Sequence, residues 1–518
     1  MGHTPSRRTL LRTLAGGVLV AGFDPTARVW AAADTGGAAD SGSAAGGGSG
    51  VVPVPPLDGR LLLDPADLAP FADDFGHLVH RTPRAVLEPG SVKDIAVMIG
   101  FCARLGLPVA PRGQGHQTFG QAQVSGGLVI DMTPLNAISV DPVAKTASVG
   151  AGALWHTLLT ASVAHGLTPP VFTDYIELSV GGTVAAGGFG GATQRFGAQV
   201  DNVTELDVVT GTGEVLTCSA AKHADLFHAA LAGLGQVAVI TRCTVRLVAA
   251  PTSVRSYTLA YPTAASLMAA QRQAAHDGRF DWLEGSVSPV GASAGFALQG
   301  AVYYDATPPN DAAVLAGLGF TGVPQTQDFA YVDFINQLAP VVAFLQSTGE
   351  WFDPHPWLNL LVPDAAADAF VSTTVAGLTA ADIGASGLVL VYPVPVAKLT
   401  APLLRVPRHG EFAFLFSILR TASPDVGALP ASAMLTANAA LYHENQALDG
   451  TQYPVGSIPG LTTADWRQQY GSQWPFFVTA KQRYDPRRIL TPGQGIFPPP
   501  AGSSKAITLG TAGQESSG

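Results

Sequence analysis

Twelve residues of this chain, 180–191, include six glycines, which is the strongest constraint that the sequence places on its fold. Glycine loses more conformational freedom on folding than any other residue, so such a run is expected where the backbone turns tightly or where another group approaches it closely. We predict a glycine loop here, with a ligand lying against the backbone. It is not a dinucleotide fingerprint, because no Gly-x-Gly-x-x-Gly opens a helix with an acidic residue about twenty positions later.

The apolar residues around this stretch alternate between helical and strand periodicity. Residues 203–210 and 214–217 flank Gly211-Thr212-Gly213 and predict a β-hairpin, which a doubly wound parallel sheet would not contain. The pattern therefore predicts an α+β fold. The predicted helices are 91–105, 154–165, 221–231 and 463–483, and the predicted strands include 109–110, 128–132, 146–149, 237–247, 387–392 and 412–419.

The chain, at 518 residues, is long enough for two sizeable cores. After Ala249-Ala250-Pro251 the pattern changes, and helix-like stretches alternate with strands. We assign residues 53–249 to the first part of one domain and residues 250–450 to a second domain. Residues 451–500 are then the C-terminal part of the first domain.

Residues 1–33 have the pattern of a twin-arginine signal peptide. Arg7 and Arg8 precede an apolar run over 14–23 that is too short to span a bilayer, and 31–33 offer small residues for cleavage. Residues 34–52 predict a flexible linker, and 501–518 predict a disordered tail. We therefore expect an exported protein, periplasmic or extracellular, without stable membrane insertion. Twin-arginine export moves folded proteins, which favours an enzyme that acquires a cofactor before export.

Charge and cysteine content argue against several classes of function. The net charge is −10 and no stretch concentrates lysine or arginine, so nucleic acid is not an expected partner. Cys102, Cys218 and Cys243 show no zinc spacing, and we predict no metal site. They are interpreted as buried small hydrophobic residues, while a pairing of Cys102 or Cys218 with Cys243 stays open in an oxidising compartment.

A second glycine-rich stretch, residues 111–121, follows a predicted strand and is named the histidine turn here. The glycines at 113 and 115 allow consecutive backbone N–H groups to point to one place, which suits a pyrophosphate. His116 follows, where an imidazole nitrogen could reach a flavin ring. Taken alone, such a turn is more often a plain glycine turn with a surface histidine.

Thr173-Asp174-Tyr175 lie a few residues before the glycine loop. Pro169-Pro170 hold the preceding backbone extended. A carboxylate at this position could serve as a general base, although an aspartate in an ordinary turn would look the same.

Together these motifs resemble the FAD-linked oxidases of the vanillyl-alcohol oxidase/PCMH fold, and within that group most closely the cytokinin dehydrogenases. The resemblance spans about residues 60–500, with the motifs in matching order. Gln114, Gln117 and Phe172 differ from the arginine, serine and tryptophan of the family pattern. The motifs that carry the resemblance are Gly113-Gln114-Gly115-His116-Gln117, Phe172-Thr173-Asp174-Tyr175, Leu283-Glu284-Gly285, His355-Pro356-Trp357-Leu358-Asn359 and Pro492-Gly493-Gln494.

The resemblance implies a PCMH-type FAD-binding domain of two α+β subdomains and a substrate cap domain with an antiparallel sheet flanked by helices. It also implies FAD bound covalently through His116. Because no cysteine lies between Cys102 and Cys218, a second attachment of the berberine-bridge type is excluded. Tight binding without a covalent bond stays open, given Gln114 and Gln117. The implied cofactor-binding residues are Arg112, Gly113, Gln114, Gly115, His116, Gln117, Gln121, Thr173, Asp174, Gly181, Gly182, Thr183, Gly187, Gly188, Val239 and Gln494.

The mechanism implied by the resemblance is hydride transfer from a substrate carbon to flavin N5. Asp174 would take the proton with Glu284 beside it, Trp357 would stack on the substrate and Asn359 would offer a hydrogen bond. The implied substrate is a cytokinin-like N6-substituted adenine, whose imine product hydrolyses to adenine and an aldehyde, with oxygen or a quinone as electron acceptor. Two alternatives stay open: an oxidase of alcohols or sugars on the same fold, and an exported flavin-binding protein without catalysis.

Overall fold

The computed structural model describes residues 20–32, 51–291, 293–424 and 427–498. The twin-arginine pair, the predicted linker up to residue 50 and the predicted tail lie outside these residues. The described chain is α+β, with two large hydrophobic cores and one small one. No helix in these ranges is long and apolar enough to cross a membrane.

A four-stranded sheet near the N-terminus carries the histidine turn. Helix Val92–Leu105 connects two of its parallel strands and buries an apolar stripe that includes Ile95, Met98 and Phe101. The predicted helix 91–105 is confirmed, and it ends where Gly106 adopts a left-handed conformation. The sheet order is Arg60–Leu62, Ala85–Glu88, Leu128–Asp131 and Val109–Arg112, with only the first strand antiparallel to its neighbour.

A five-stranded antiparallel sheet forms the other half of this domain. The hairpin predicted over 203–217 is confirmed as Val203–Thr210 paired with Val215–Ser219. Helix Ala224–Ala230 begins three residues later than predicted, because a turn closes between Ser219 and Lys222. The sheet order is Val215–Ser219, Val203–Thr210, Ala238–Arg246, Thr146–Gly150 and Ile138–Asp141.

The geometry of this sheet excludes a disulfide between Cys218 and Cys243. Cys218 and Cys243 face Leu206 from the strands on its two sides, so their Cα atoms are separated by two strand spacings, about 10 Å. A disulfide requires less than about 7 Å. All three cysteines are free and buried, and burial raises the pKa of each thiol to about 12.

The second domain is built on an eight-stranded antiparallel sheet, named the cap sheet here. Helices Ala264–Asp277 and Asp364–Gly377 pack against each other and against the sheet, and together they form the second large core. The predicted antiparallel sheet flanked by helices is confirmed. The strand order is Thr321–Ala330, Ser253–Tyr261, Phe296–Tyr304, Trp282–Val287, Leu388–Pro395, Phe412–Leu419, Leu358–Pro363 and Thr451–Gln452.

The remaining helices are shorter or connect these layers. Helix Trp155–Val163 confirms the prediction over 154–165, and Ala431–Ala447 packs against the edge of the cap sheet. The others are Pro65–Leu68, Val180–Ala186, Thr193–Phe196, Asp311–Leu315, Tyr331–Ile335, Ala339–Thr348, Ala380–Ile383, Thr463–Tyr470 and Trp474–Tyr484.

Two predicted segments are wrong in part. The glycine loop is helical over Val180–Ala186, and irregular backbone begins only at Gly187. Gly181 lies against Ala151 with no room for a Cβ atom, so its small size serves helix packing. The predicted helix 463–483 is two helices, interrupted at Gly471, whose φ of 50° a continuous α-helix does not accept.

An N-terminal hairpin of Val20–Asp24 and Val29–Ala32 pairs with Val52–Pro53. Phe23 is only 1% exposed, and Trp30 stacks on Phe101 with a ring-centroid distance of 5.6 Å. The hairpin lies inside the predicted signal peptide, so cleavage after residue 33 would remove its contacts with Phe101.

The C-terminal segment returns to the first domain. Leu490 forms a parallel bridge with Val109, which brings the short 3-10 helix Pro492–Gln494 next to the histidine turn. Lys481 and Asp485 form a buried ion pair at 2.8 Å behind this bridge. Lys481 also donates to the carbonyl oxygen of Leu490, so the ion pair fixes the returning chain.

Candidate active site

The histidine turn is held at its far end by a buried carboxylate. Asp74 accepts hydrogen bonds from the N–H groups of Gly120, at 2.6 Å, and Gly76, at 3.1 Å. Gly493 of the C-terminal segment lies against the carbonyl oxygens of Gly120 and Gln121, where a Cβ atom would not fit. The turn is therefore fixed by packing and hydrogen bonds from two distant parts of the chain.

The near end of the turn leaves donors unused. The backbone N–H groups of residues 113–117 donate to no acceptor in the described ranges. Gly113 lies against the Ser179 hydroxyl, with no space for a side chain between them. Consecutive free N–H groups in a glycine turn form an anion-binding nest, so this end of the turn is suited to a phosphate group.

Aromatic rings surround His116. Its ring centroid lies 4.1 Å from that of Phe75, 4.9 Å from Tyr175, 5.6 Å from Trp357 and 5.9 Å from Trp351. Burial, together with the neighbouring charge of His355, lowers the pKa of His116 to about 3. The imidazole is therefore neutral at ordinary pH and keeps a lone pair available for bond formation.

Asp174 and Glu284 are brought together from two domains. Glu284 lies on strand Trp282–Val287 and is 3% exposed, and the adjacent Leu283 donates an N–H to the carbonyl of Gly191 at 3.0 Å. This hydrogen bond joins the cap sheet to the glycine-rich backbone that follows Asp174.

The two carboxyl groups interact directly. Burial raises the pKa of both; the charge of Asp174 raises that of Glu284 further, while a hydrogen bond from Glu284 lowers that of Asp174. Two buried carboxyl groups in contact cannot both ionise without a large cost in free energy, so the pair favours a state that keeps one proton.

Asp174 also lines two cavities. The first has aromatic walls that include Phe172, Trp282, Tyr303 and Tyr331. The second lies between residues 174–177 and helix Ala339–Thr348. Each has this carboxylate at its wall, so a molecule bound in either would meet Asp174.

Trp357 and Asn359 lie on the histidine side of the site. Neither lines the cavities at Asp174. The side-chain N–H₂ of Asn359 is buried without a hydrogen-bond acceptor in the described structure, so it is free to donate to a bound molecule. Tyr175 connects the two sides, because it follows Asp174 in the chain and its ring packs against His116.

Comparisons with known proteins agree with this geometry. A family model described as an FAD binding domain matches residues 83–219, and one described as "Cytokinin dehydrogenase 1, FAD and cytokinin binding" matches residues 292–497. Cytokinin dehydrogenase 7 of Oryza sativa subsp. japonica is 34% identical over 85% of this chain and 92% of its own length. The chain belongs to the cytokinin dehydrogenase family. It is an FAD-dependent oxidoreductase with a PCMH-type FAD-binding domain and a cap domain.

Other relatives place this cytokinin dehydrogenase family member among both bacterial and plant sequences. An uncharacterized oxidoreductase, ORF5 in the fasciation locus of Rhodococcoides fascians, is 39% identical over 83% of this chain and 97% of its own length. Cytokinin dehydrogenase 2 of Arabidopsis thaliana is 33% identical over 85% of this chain and 94% of its own length.

The residues of this family member fit FAD. The free N–H groups of residues 113–117 match the pyrophosphate, and the neutral His116 and the unpaired Asn359 amide provide groups for the flavin or the substrate. Glycines at 113, 187 and 188 leave backbone uncovered where side chains would intrude on Ser179, Leu404 and Gln199.

Several predicted cofactor residues have their side chains occupied within the protein. Thr183 accepts a hydrogen bond from the Trp155 indole at 2.7 Å and donates to a helix carbonyl. Gln121 bonds the Phe119 N–H and the Gly456 carbonyl. The Arg112 guanidinium donates to the Asp73 carbonyl, and Val239 is buried in strand Ala238–Arg246. These residues therefore stabilise the protein around the site, and their side chains are already engaged in contacts within the protein.

Sequence reasoning missed four residues of the site. Phe75 and Trp351 pack on His116, Asp74 anchors the turn, and Tyr453 accepts the Gly188 N–H at 3.1 Å. Only Trp351 carried a signal in the sequence, as an aromatic residue six positions before Trp357.

Proposed function

We propose that this enzyme oxidises a secondary amine of the N6-substituted adenine class. The observation that carries the proposal is the buried Asp174–Glu284 pair, in which burial raises the pKa of both carboxyl groups and Asp174 lies at the wall of an aromatic cavity. A base of this kind suits an N–H proton that leaves as the adjacent carbon is oxidised.

FAD, when bound, supplies a two-electron acceptor for hydride. Asp174 accepts a hydrogen bond from the substrate N–H and takes that proton as the C–H bond breaks and a C=N bond forms. Glu284, holding its proton, donates to Asp174 and orients it. The rings of Trp282, Tyr303 and Tyr331 give the substrate flat, apolar walls. Addition of water to the imine gives adenine and an aldehyde, and the two electrons leave to oxygen or a quinone.

The test is anaerobic mixing of the purified holoenzyme with N6-isopentenyladenine or with a panel of alcohols and sugars, followed at the flavin absorption band. We expect the amine alone to bleach the flavin, with adenine and aldehyde formed in equal amounts. Bleaching by alcohols or sugars instead would establish the alternative oxidase. A flavin that no compound bleaches would establish a binding protein. Admitting air or a quinone to the reduced enzyme then identifies the acceptor by the rate of recolouring.

The FAD is, in this proposal, bound covalently through His116. His116 would supply the imidazole nitrogen that bonds to the flavin and would give up its N–H proton, while the second proton and the two electrons released by this oxidative attachment would pass to the same external acceptor. The support is the neutral imidazole inside its aromatic surroundings. Acid precipitation should leave the yellow colour with wild-type protein and release it from His116→Ala.

Export through the twin-arginine pathway is the third part of the proposal and rests on the sequence alone. Arg7→Lys combined with Arg8→Lys should retain the protein inside the cell. N-terminal sequencing of exported protein shows where cleavage occurs, and a start beyond residue 33 agrees with the predicted signal peptide. Export of the double variant at the wild-type level would contradict it.

A further inference from the structure

His116 lacks the contact that usually orients a functional histidine. A histidine that binds or reacts through one ring nitrogen is generally held by a hydrogen bond to the other. Within the described residues, neither ring nitrogen of His116 has a hydrogen-bond partner, and its neighbours are the rings of Phe75, Tyr175, Trp351 and Trp357. Packing must therefore set the orientation of the imidazole.

Phe75 makes the closest of these ring contacts. Its centroid lies 4.1 Å from that of His116 and 4.2 Å from that of His355, with which it stacks at an interplanar angle of 23°. The phenyl ring therefore separates two imidazoles and presents no polar atom to His116. A smaller, flexible side chain in this position would let the imidazole rotate.

The backbone around Phe75 is fixed on both sides. Its N–H donates to the Gly115 carbonyl at 2.9 Å, and the preceding Asp74 accepts the Gly120 N–H. The carbonyl of Gly76 accepts the His355 N–H at 2.9 Å, and Gly76 lies so close to Thr118 that a Cβ atom would overlap it. Residues 74–76, named the clamp here, thus join the histidine turn to the strand that begins after Trp357.

We propose that Phe75 is a positioning residue for His116, holding the imidazole in the orientation from which it attaches to FAD. The inference rests on the covalent attachment proposed above. Phe75 acts through His116, so its effect belongs to the yield of attachment and not to the folding of the domain. A displacement of about 1 Å can slow a reaction of oriented groups by about 100-fold. Loss of the Phe75 ring should therefore leave part of the FAD without a covalent bond to the protein.

The experiment compares holoenzymes of wild type, Phe75→Leu and Phe75→Tyr, each saturated with FAD so that total flavin per chain is equal. The readout is the fraction of flavin that stays on the polypeptide after acid precipitation. We expect this fraction to fall several-fold in Phe75→Leu and to be restored in Phe75→Tyr, which keeps the ring. Phe476→Leu is the matched control, because Phe476 is a partly buried phenylalanine of helix Trp474–Tyr484 that has no ring contact with the site among the described residues. Phe75→Met replaces Phe75→Leu if the latter is not recovered as soluble protein.

Each outcome is decisive. An unchanged acid-stable fraction in Phe75→Leu, or an equal fall in Phe476→Leu, overturns the role of Phe75 while attachment through His116 stands. Release of all flavin from wild type overturns the attachment itself, and this inference falls with it. His116→Ala, measured in parallel, separates the two cases.

Discussion

At the scale of single residues, the site uses burial to set protonation. Burial and the neighbouring His355 lower the pKa of His116, so its imidazole is neutral, whereas burial raises the pKa of both Asp174 and Glu284. Neither state can be read from a motif, because each depends on which side chains the fold brings against the group. A local motif identifies the residue, and the tertiary structure assigns its charge.

The carboxyl pair predicts a bell-shaped dependence of the flavin reduction rate on pH. Asp174 must be ionised to accept a proton, and its pKa is raised by burial, so the rate should fall on acidification at a pH above the ordinary value of 3.8. Glu284 must stay protonated, and its pKa is raised well above 4.5, so a second fall should follow when it ionises at higher pH. The neighbouring Tyr303 and Tyr392 have pKa values well above 10 and should not contribute.

Glu284→Gln tests which group causes the fall in rate at high pH. Glutamine imitates the protonated acid, so the fall at low pH (the acidic limb) should remain and the fall at high pH (the alkaline limb) should disappear. The measurement is the anaerobic flavin reduction rate as a function of pH for both proteins. Identical alkaline limbs in wild type and Glu284→Gln would show that Glu284 is not the group that titrates.

At the scale of structural elements, the histidine turn and helix Val180–Ala186 meet without space between them. Gly113→Ala would drive a Cβ atom into the Ser179 hydroxyl. We expect a loss of about 1–3 kcal/mol of stability, as for other overpacked contacts, together with weaker FAD retention. Thermal unfolding and flavin content after gel filtration measure both effects.

The matched control for this change is Gly377→Ala, at a glycine with open space around its Cβ position. It should alter stability by less than about 0.5 kcal/mol. Adding Ser179→Ala to Gly113→Ala should recover part of the loss, because the nearest overlapping atom is the hydroxyl oxygen. Normal flavin retention in Gly113→Ala would show that the turn does not need this close approach.

The ion pair of helix Trp474–Tyr484 fixes the C-terminal segment to the FAD-binding domain. Lys481→Met would leave Asp485 charged, buried and without its cation, which generally costs about 3–5 kcal/mol. The urea concentration at the unfolding midpoint should therefore fall strongly in Lys481→Met and change very little in Lys93→Met, because Lys93 is exposed. Equal midpoints for the two variants would contradict this account of how the chain end is held.

At the scale of the whole molecule, the sequence predicted many of the elements and the class of cofactor. Helix 91–105 and the hairpin at 203–217 follow from local periodicity and turn chemistry, so they were predictable. The glycine loop was wrong over Val180–Ala186, because close packing on Ala151, and not only a ligand, explains the small residues there. Local composition cannot separate these two causes.

The contacts that assemble the site depend on pairing between distant parts of the chain, which local motifs do not show. Phe75 reaches His116 through the clamp, and Glu284 reaches Asp174 because strand Trp282–Val287 docks on the Gly191 carbonyl. The order of the cap sheet, in which strand 282–287 pairs with strand 388–395, likewise depends on long-range contacts. The resemblance to a family named Glu284, but only the fold shows what brings it to Asp174.

The central claim is that Asp174 removes the substrate proton as FAD is reduced. The most direct test is the anaerobic flavin reduction rate of Asp174→Asn with N6-isopentenyladenine, with Glu214→Gln, at an exposed acid that lines neither cavity, as the control. We predict that Asp174→Asn keeps its flavin and is slowed by about 10²–10⁴-fold, the usual contribution of a general base, while Glu214→Gln reacts at nearly the wild-type rate. A flavin-loaded Asp174→Asn enzyme that is reduced as fast as wild type would contradict the account.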